Sequence, residues 1–134
     1  MDKKEILKFI SENPIGYLAT VDGKAARVRG METFRADEKG LIFYTSKMKN
    51  VFQQMAKNPE VEVCYFAKGL QVRVRGKIEL VEDLALKKEI VEKRPFLKPI
   101  YEKGYDDMAV CRLKGKATTW SMQDMAAPTT FIDL

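Results

Sequence analysis

The chain of 134 residues contains no histidine at all. That absence removes the usual general base, the Ser–His and Cys–His nucleophile pairs, and histidine-ligated zinc or haem. Cysteine is scarce as well. Cys64 and Cys111 both lie in apolar, strand-like runs without metal-ligand spacing, and read as free buried thiols. No apolar run approaches the ~20 residues of a membrane span. The N-terminus, MDKKEILKFI, is charged and amphipathic and lacks a signal-peptide core. A cytoplasmic protein that does not enter membranes is expected. No linker or low-complexity stretch interrupts the sequence, so residues 1–134 are expected to form one domain. With 24 Lys and Arg against 19 Asp and Glu, the net charge of +5 suggests an anionic ligand but is too mild to imply nucleic acid. Chemistry here must come from a cofactor or from carboxylates.

What is present is organised around GLIFYTSKMKNVFQQMAKNP, Gly40 to Pro59. Leu41 to Thr45 are apolar, aromatic or β-branched and read as a strand. Ser46 stands where a helix N-cap belongs. Met48, Val51, Phe52, Met55 and Ala56 then recur at helical spacing as an apolar face. Lys49, Asn50, Gln53, Gln54 and Lys57 make the polar face, and Asn58-Pro59 stops the helix. Lys47 and Lys49 flank the helix start, where positive side chains oppose the helix dipole. A bound phosphate, receiving N–H groups, a hydroxyl and cations together, accounts for them. Solvated surface lysines are the alternative.

Along the rest of the chain, Asp2 to Asn13 reads as a helix capped by Asp2. Ile15 to Val21 and Lys24 to about Arg35 read as strands joined by an Asp22-Gly23 hairpin. In the return strand, Arg27, Arg29 and Met31 share one face. Val61 to Ala67 and Leu70 to Val81 read as two more strands; the second alternates clearly, with Gln71, Arg73 and Arg75 opposite Val72 and Val74. Asp83 caps a helix to about Lys93, and Pro95 opens another ending near Gly104. Asp107 to Lys114 and Lys116 to Met122 are expected strands turned at Gly115, and Thr129 to Ile132 a short edge strand. Six or seven strands with short turns and interspersed helices predict an α+β fold, an antiparallel barrel with helices at its ends. A single-stranded nucleic-acid platform needs aromatic rings beside its arginines. Strand Leu70 to Val81 has none.

The order of ATVDGKAARVRG, GLIFYTSKMKNVFQQMAKNPEVEV, LQVRVRGKIELVED and the Arg94-Pro95 region resembles the pyridoxamine 5′-phosphate oxidase-like FMN-binding split-barrel superfamily. The resemblance covers essentially the whole chain and is nearest to the small one-domain branch that includes nitroimidazole-resistance-type proteins. It implies an antiparallel split barrel, a homodimer and two FMN molecules at the subunit interface. It also implies an oxidoreductase passing electrons from NAD(P)H to a small acceptor. By the resemblance, Arg27, Val28, Arg29 and Gly30 run along the flavin, and Tyr44 and Thr45 lie beside the ring and ribityl chain. Ser46, Lys47, Lys49 and Asn50 hold the phosphate, and Gln71 reaches the flavin, often from the partner subunit. Val51 falls where the family's phosphate lysine belongs, so Lys49 stands in from two residues earlier. After Arg112 there is no Arg or His, which leaves the vitamin B6 substrate without its expected partners. A flavin-binding module without turnover, or the same barrel holding a deazaflavin or haem, are the other readings. No catalytic residue is identifiable.

Overall fold

The computed structural model describes residues 1–134. Helix α1 (Lys3–Glu12) opens the chain with a reciprocal cap between Asp2 and Glu5. Strands β1 (Ile15–Asp22) and β2 (Ala25–Glu32) form the expected hairpin. β3 (Arg35–Asp37) and β4 (Gly40–Ser46) form a second, and helix α2 (Asn50–Lys57) follows. β5 (Glu60–Ala67), β6 (Leu70–Val81), helix α3 (Leu84–Lys93), β7 (Met108–Leu113), β8 (Lys116–Ser121) and β9 (Ile132–Asp133) complete the fold. All strand pairs are antiparallel, in the order β2-β1-β5-β6-β7-β4-β3, with β8 also on β6 and β9 on β8.

β6 is the strand the two halves share. Its first part, Leu70–Arg75, pairs with β8, and its last part, Ile78–Val81, pairs with β7. The change of partner falls at Gly76, where a Cβ would lie 3.2 Å from the Cα of Gly115. A strand that changes partner along one edge opens the barrel there, which is the split. β4 is buried along its first four residues because it separates two cores. Leu41 and Phe43 face the barrel interior with Leu18, Val63, Tyr65, Val72 and Leu113. Ile42 faces the other way, into a smaller core under α3 with Ile90, Leu97, Tyr101 and Met108. No helix is long and apolar enough to cross a membrane.

Four sequence expectations are corrected. Ser46 does not cap α2. Lys49 occupies the N-cap position with extended backbone and no side-chain cap bond. The Ser46 hydroxyl instead donates to Asp107 Oδ2 at 2.5 Å and accepts from the Met48 N–H at 3.1 Å. That turn keeps residues 47–49 out of the helix, so Met48, 86% exposed, is not on its apolar face. The Lys24 to Arg35 run is not one strand. It breaks at Thr33-Phe34, where Thr33 bonds the Tyr65 hydroxyl at 2.5 Å and the Phe34 N–H turns to the Ile42 carbonyl. The chain there leaves β1 for β4. The helix expected from Pro95 to Gly104 is a single 3₁₀ turn, Pro95–Leu97, followed by turns. Pro99 has no N–H to continue a helical ladder. Finally, Cys111 is buried as expected, but Cys64 is only half-buried, on the outer face of β5.

Candidate functional site

The alternation of β2 turns Arg27, Arg29 and Met31 toward α2 and leaves Val28 and Gly30 on the outer face of the sheet. Between this strand and the helix run two adjoining cavities. The first is a polar groove of about 830 Å³, bounded by Asp22, Gly23, Arg27, Val28 and Arg29 on the hairpin and by Asn50, Gln54 and Lys57 on α2. The second, of about 220 Å³, has an apolar floor of Leu18, Phe43, Val51 and Met55. Gly30, Glu32, Tyr44, Thr45 and Lys49 stand around it. Arg29 lines both.

The Arg29 guanidinium is the fixed point of this arrangement. Nη1 donates to the Leu18 carbonyl at 3.2 Å and to Thr20 Oγ1 at 2.7 Å, and Nη2 donates to Gln54 Oε1 at 2.6 Å. Thr20 in turn donates to the same Gln54 oxygen at 2.6 Å. All three acceptors are neutral. They occupy three of the five N–H groups that arginine carries, leaving two for a ligand. Burial, and next the positive charge of Arg27, lower the Arg29 pKa. A cation whose charged form is disfavoured by its surroundings, with no carboxylate on it, is suited to receive an anion.

The other rim groups are held from behind. Glu32 accepts from Arg94 Nε at 2.8 Å and Nη2 at 2.5 Å. The Phe34 ring lies within cation–π distance of both Arg35 and Arg94, and Arg35 is ion-paired with Glu89. Burial and then Glu32 raise the Tyr44 pKa against the opposing effect of Arg94, so its phenol is a proton donor at neutral pH.

Of the residues singled out in the sequence, Arg27, Val28, Arg29 and Asn50 meet at the groove, and Gly30, Tyr44, Thr45 and Lys49 at the apolar pocket. Ser46 and Lys47 line neither cavity. Ser46 is engaged by Asp107, and the Lys47 ammonium reaches Glu82 at 3.4 Å. Gln71 lies elsewhere in the chain. It is on β6, separated from β2 by β1 and β5, and borders an outer cavity of about 240 Å³ with Arg73 and Trp120. Gln54, Thr20 and Lys57 were not singled out. Thr20 is in phase with inward-facing Leu18, and a hydroxyl at an inward position needs a partner. Gln54 and Lys57 carry no local signal beyond the polar face of their helix.

The model of the pyridoxamine 5′-phosphate oxidase family matches residues 2–123, and the chain belongs to that family. Within it, the chain falls in the small one-domain branch. A NimC/NimA family protein of Clostridium acetobutylicum is 30% identical, with a TM-score of 0.80 over 98% of this chain and 93% of that one. Two more distant structures share the fold. A FAD-binding protein of Mesorhizobium loti is 19% identical, with a TM-score of 0.67 over 89% of this chain and 94% of that one. A haem-binding protein of Mycobacterium smegmatis is 15% identical, with a TM-score of 0.67 over 99% of this chain and 58% of that one. No curated protein matches the chain by sequence.

Proposed function

We propose that the chain is an FMN-binding flavoprotein that works as a homodimer and passes electrons from NAD(P)H to a small-molecule acceptor. The observation that carries the binding site is Arg29, a half-buried cation with two free N–H groups and only neutral partners. Family membership supplies the class of ligand. The donors present fit a flavin phosphate: Arg29, Arg27, the Asn50 amide and the Lys49 ammonium converge from two elements. Ser46 and Lys47 are not part of this set. Gly30, Tyr44 and Thr45 border the apolar pocket that adjoins the groove at Arg29, and Val28 borders the groove itself; the ring would lie along them. Bound FMN supplies the redox chemistry. The chain's own residues bind, orient and exclude water, and Tyr44 offers the one uncommitted phenolic proton at the rim.

The outer face of the sheet supports the dimer. Ile15, Tyr17, Val28, Phe66 and Trp120 are all exposed there, an apolar patch on a strand surface. Gln71 stands on the same face, so joining two copies through it brings the partner's Gln71 toward the ring. The same face carries Glu62 against Arg73 and Glu60 against Lys77, polar pairs suited to a rim.

Titration of FMN and riboflavin into apoprotein tests this reading. Lys49 is exposed and makes no hydrogen bond through its side chain. Lys49→Ala is expected to weaken FMN about tenfold or more, the worth of one charge-assisted hydrogen bond. Riboflavin, which lacks the phosphate, should be unaffected. Loss of both equally would place Lys49 at the ring. Sedimentation of the same samples should give dimers. A monomer with FMN bound would remove the partner's Gln71 from the site. Turnover is tested separately, by steady-state NAD(P)H oxidation; a holoprotein that does not oxidise it is a binding module.

A further inference from the structure

Every buried side-chain nitrogen and oxygen in the chain has a hydrogen-bond partner except one, Nε of Arg112. A buried donor left unpaired is costly, and a native fold normally gives it an acceptor. Arg112 lies on β7, opposite Ile42 of β4 on one side and Glu79 of β6 on the other. It therefore shares the Ile42 face of the sheet, the side that α3 covers. Its one ion-pair partner, Glu79, is 65% exposed and 3.7 Å from Nη1, beyond hydrogen-bond distance. The guanidinium edge formed by Nε and Nη2 has no acceptor in the protein.

Arg112 forms one wall of a cavity of about 210 Å³ between the β3–β4 hairpin and the start of α3. No residue of the two cavities beside Arg29 lines it. Three carboxylates and three cations stand around it, and they are not equally free. Asp37 accepts from the Lys39 N–H at 2.8 Å, and Asp83 from the Leu86 N–H at 3.1 Å. Glu89 is ion-paired with both Arg35 and Lys93. The Lys39 ammonium has no ion pair. Each carboxylate thus has a donor, while Arg112 and Lys39 lack an acceptor.

We propose that this cavity binds a small oxyanion, a carboxylate or phosphate group, at a site separate from the flavin. The parallel N–H groups on Nε and Nη2 of Arg112 match two oxygens of such a group. Lys39 adds a point charge from the hairpin on a flexible stem. The volume lies below the roughly 300–1,000 Å³ typical of small-ligand pockets. The occupant is therefore a few heavy atoms, or the acidic end of a larger molecule.

Proton–nitrogen correlation NMR of the full-length protein tests this, with acetate and inorganic phosphate each titrated at constant ionic strength against chloride. The expected result is a saturable shift of the Arg112 Nε–H resonance and of the Lys39 and Ala85 amides. Saturation by acetate alone identifies a carboxylate ligand, and by phosphate alone a phosphate; either supports the site. Arg112→Gln should weaken the amide response about tenfold or more. Lys39 is exposed, so Lys39→Ala keeps the fold and should weaken the response several-fold, even where Arg112→Gln does not fold. A response equal to that of chloride, an adventitious ion only, overturns the proposal. So do shifts confined to Arg29 and Gln54, an affinity unchanged in Lys39→Ala, or no saturable shift with either anion.

Discussion

Arg29→Ala is expected to weaken FMN binding by about a hundredfold or more, with a much smaller effect on riboflavin. The substitution removes two N–H groups that have no protein acceptor and a positive charge that has no carboxylate. Each charge-assisted hydrogen bond to phosphate is worth roughly 1.5–3 kcal/mol, so losing two gives about 3 kcal/mol at the least. That corresponds to a little more than two decades in dissociation constant. The pocket wall survives because Thr20 and Gln54 remain bonded to each other at 2.6 Å. Fluorescence titration of both ligands, beside a thermal melt, reads the outcome. Equal losses for FMN and riboflavin would mean that Arg29 only shapes the cavity. An unchanged FMN affinity would place the phosphate elsewhere.

The largest expected effect on stability comes from Gly115→Ala. A Cβ at Gly115 would lie 2.0 Å from the Arg75 carbonyl oxygen and 2.8 Å from its carbon. Both are backbone atoms of β6, so no side chain can move aside. Relief requires β6 to shift, and β6 carries pairings to β5, β7 and β8 together. The C-terminal Leu134 also docks its N–H on the Gly115 carbonyl at 2.9 Å. The loss should be about 3 kcal/mol or more, at the upper end of overpacking. In a domain of this size that lowers Tm by roughly 10 °C. Gly30→Ala is the control. Nothing lies within 4 Å of its Cβ and its backbone is an ordinary strand, so its Tm should stay near wild type. Equal melting of the two variants would show that the Gly76–Gly115 approach is not where the barrel is pinned.

What could be read from the sequence was local. The alternation of Leu70 to Val81, the Asp22-Gly23 hairpin and the Asp2 cap each depend on neighbours a few residues away, and each formed where expected. The helix cap at Ser46 did not, because Asp107, 61 residues further on, takes its hydroxyl. The break at Thr33 depends on Tyr65, 32 residues away. Arg27 and Arg29 stood out by their shared strand face. That Arg29 lacks a carboxylate, while Arg94 has Glu32 and Arg35 has Glu89, depends on tertiary placement that no spacing reveals. Gln54 looked like any polar helix residue until the fold set it against Arg29. Lys47 and Lys49, two residues apart, part company for the same kind of reason: one reaches Glu82, the other the pocket.

The most direct measurement is the absorbance spectrum of the full-length protein as purified, followed by titration of the apoprotein with FMN. Flavin bands in the purified protein, and saturation at one FMN per chain, are the expected result. No flavin bands and no FMN binding, or a haem band in their place, would contradict flavin binding at Arg29.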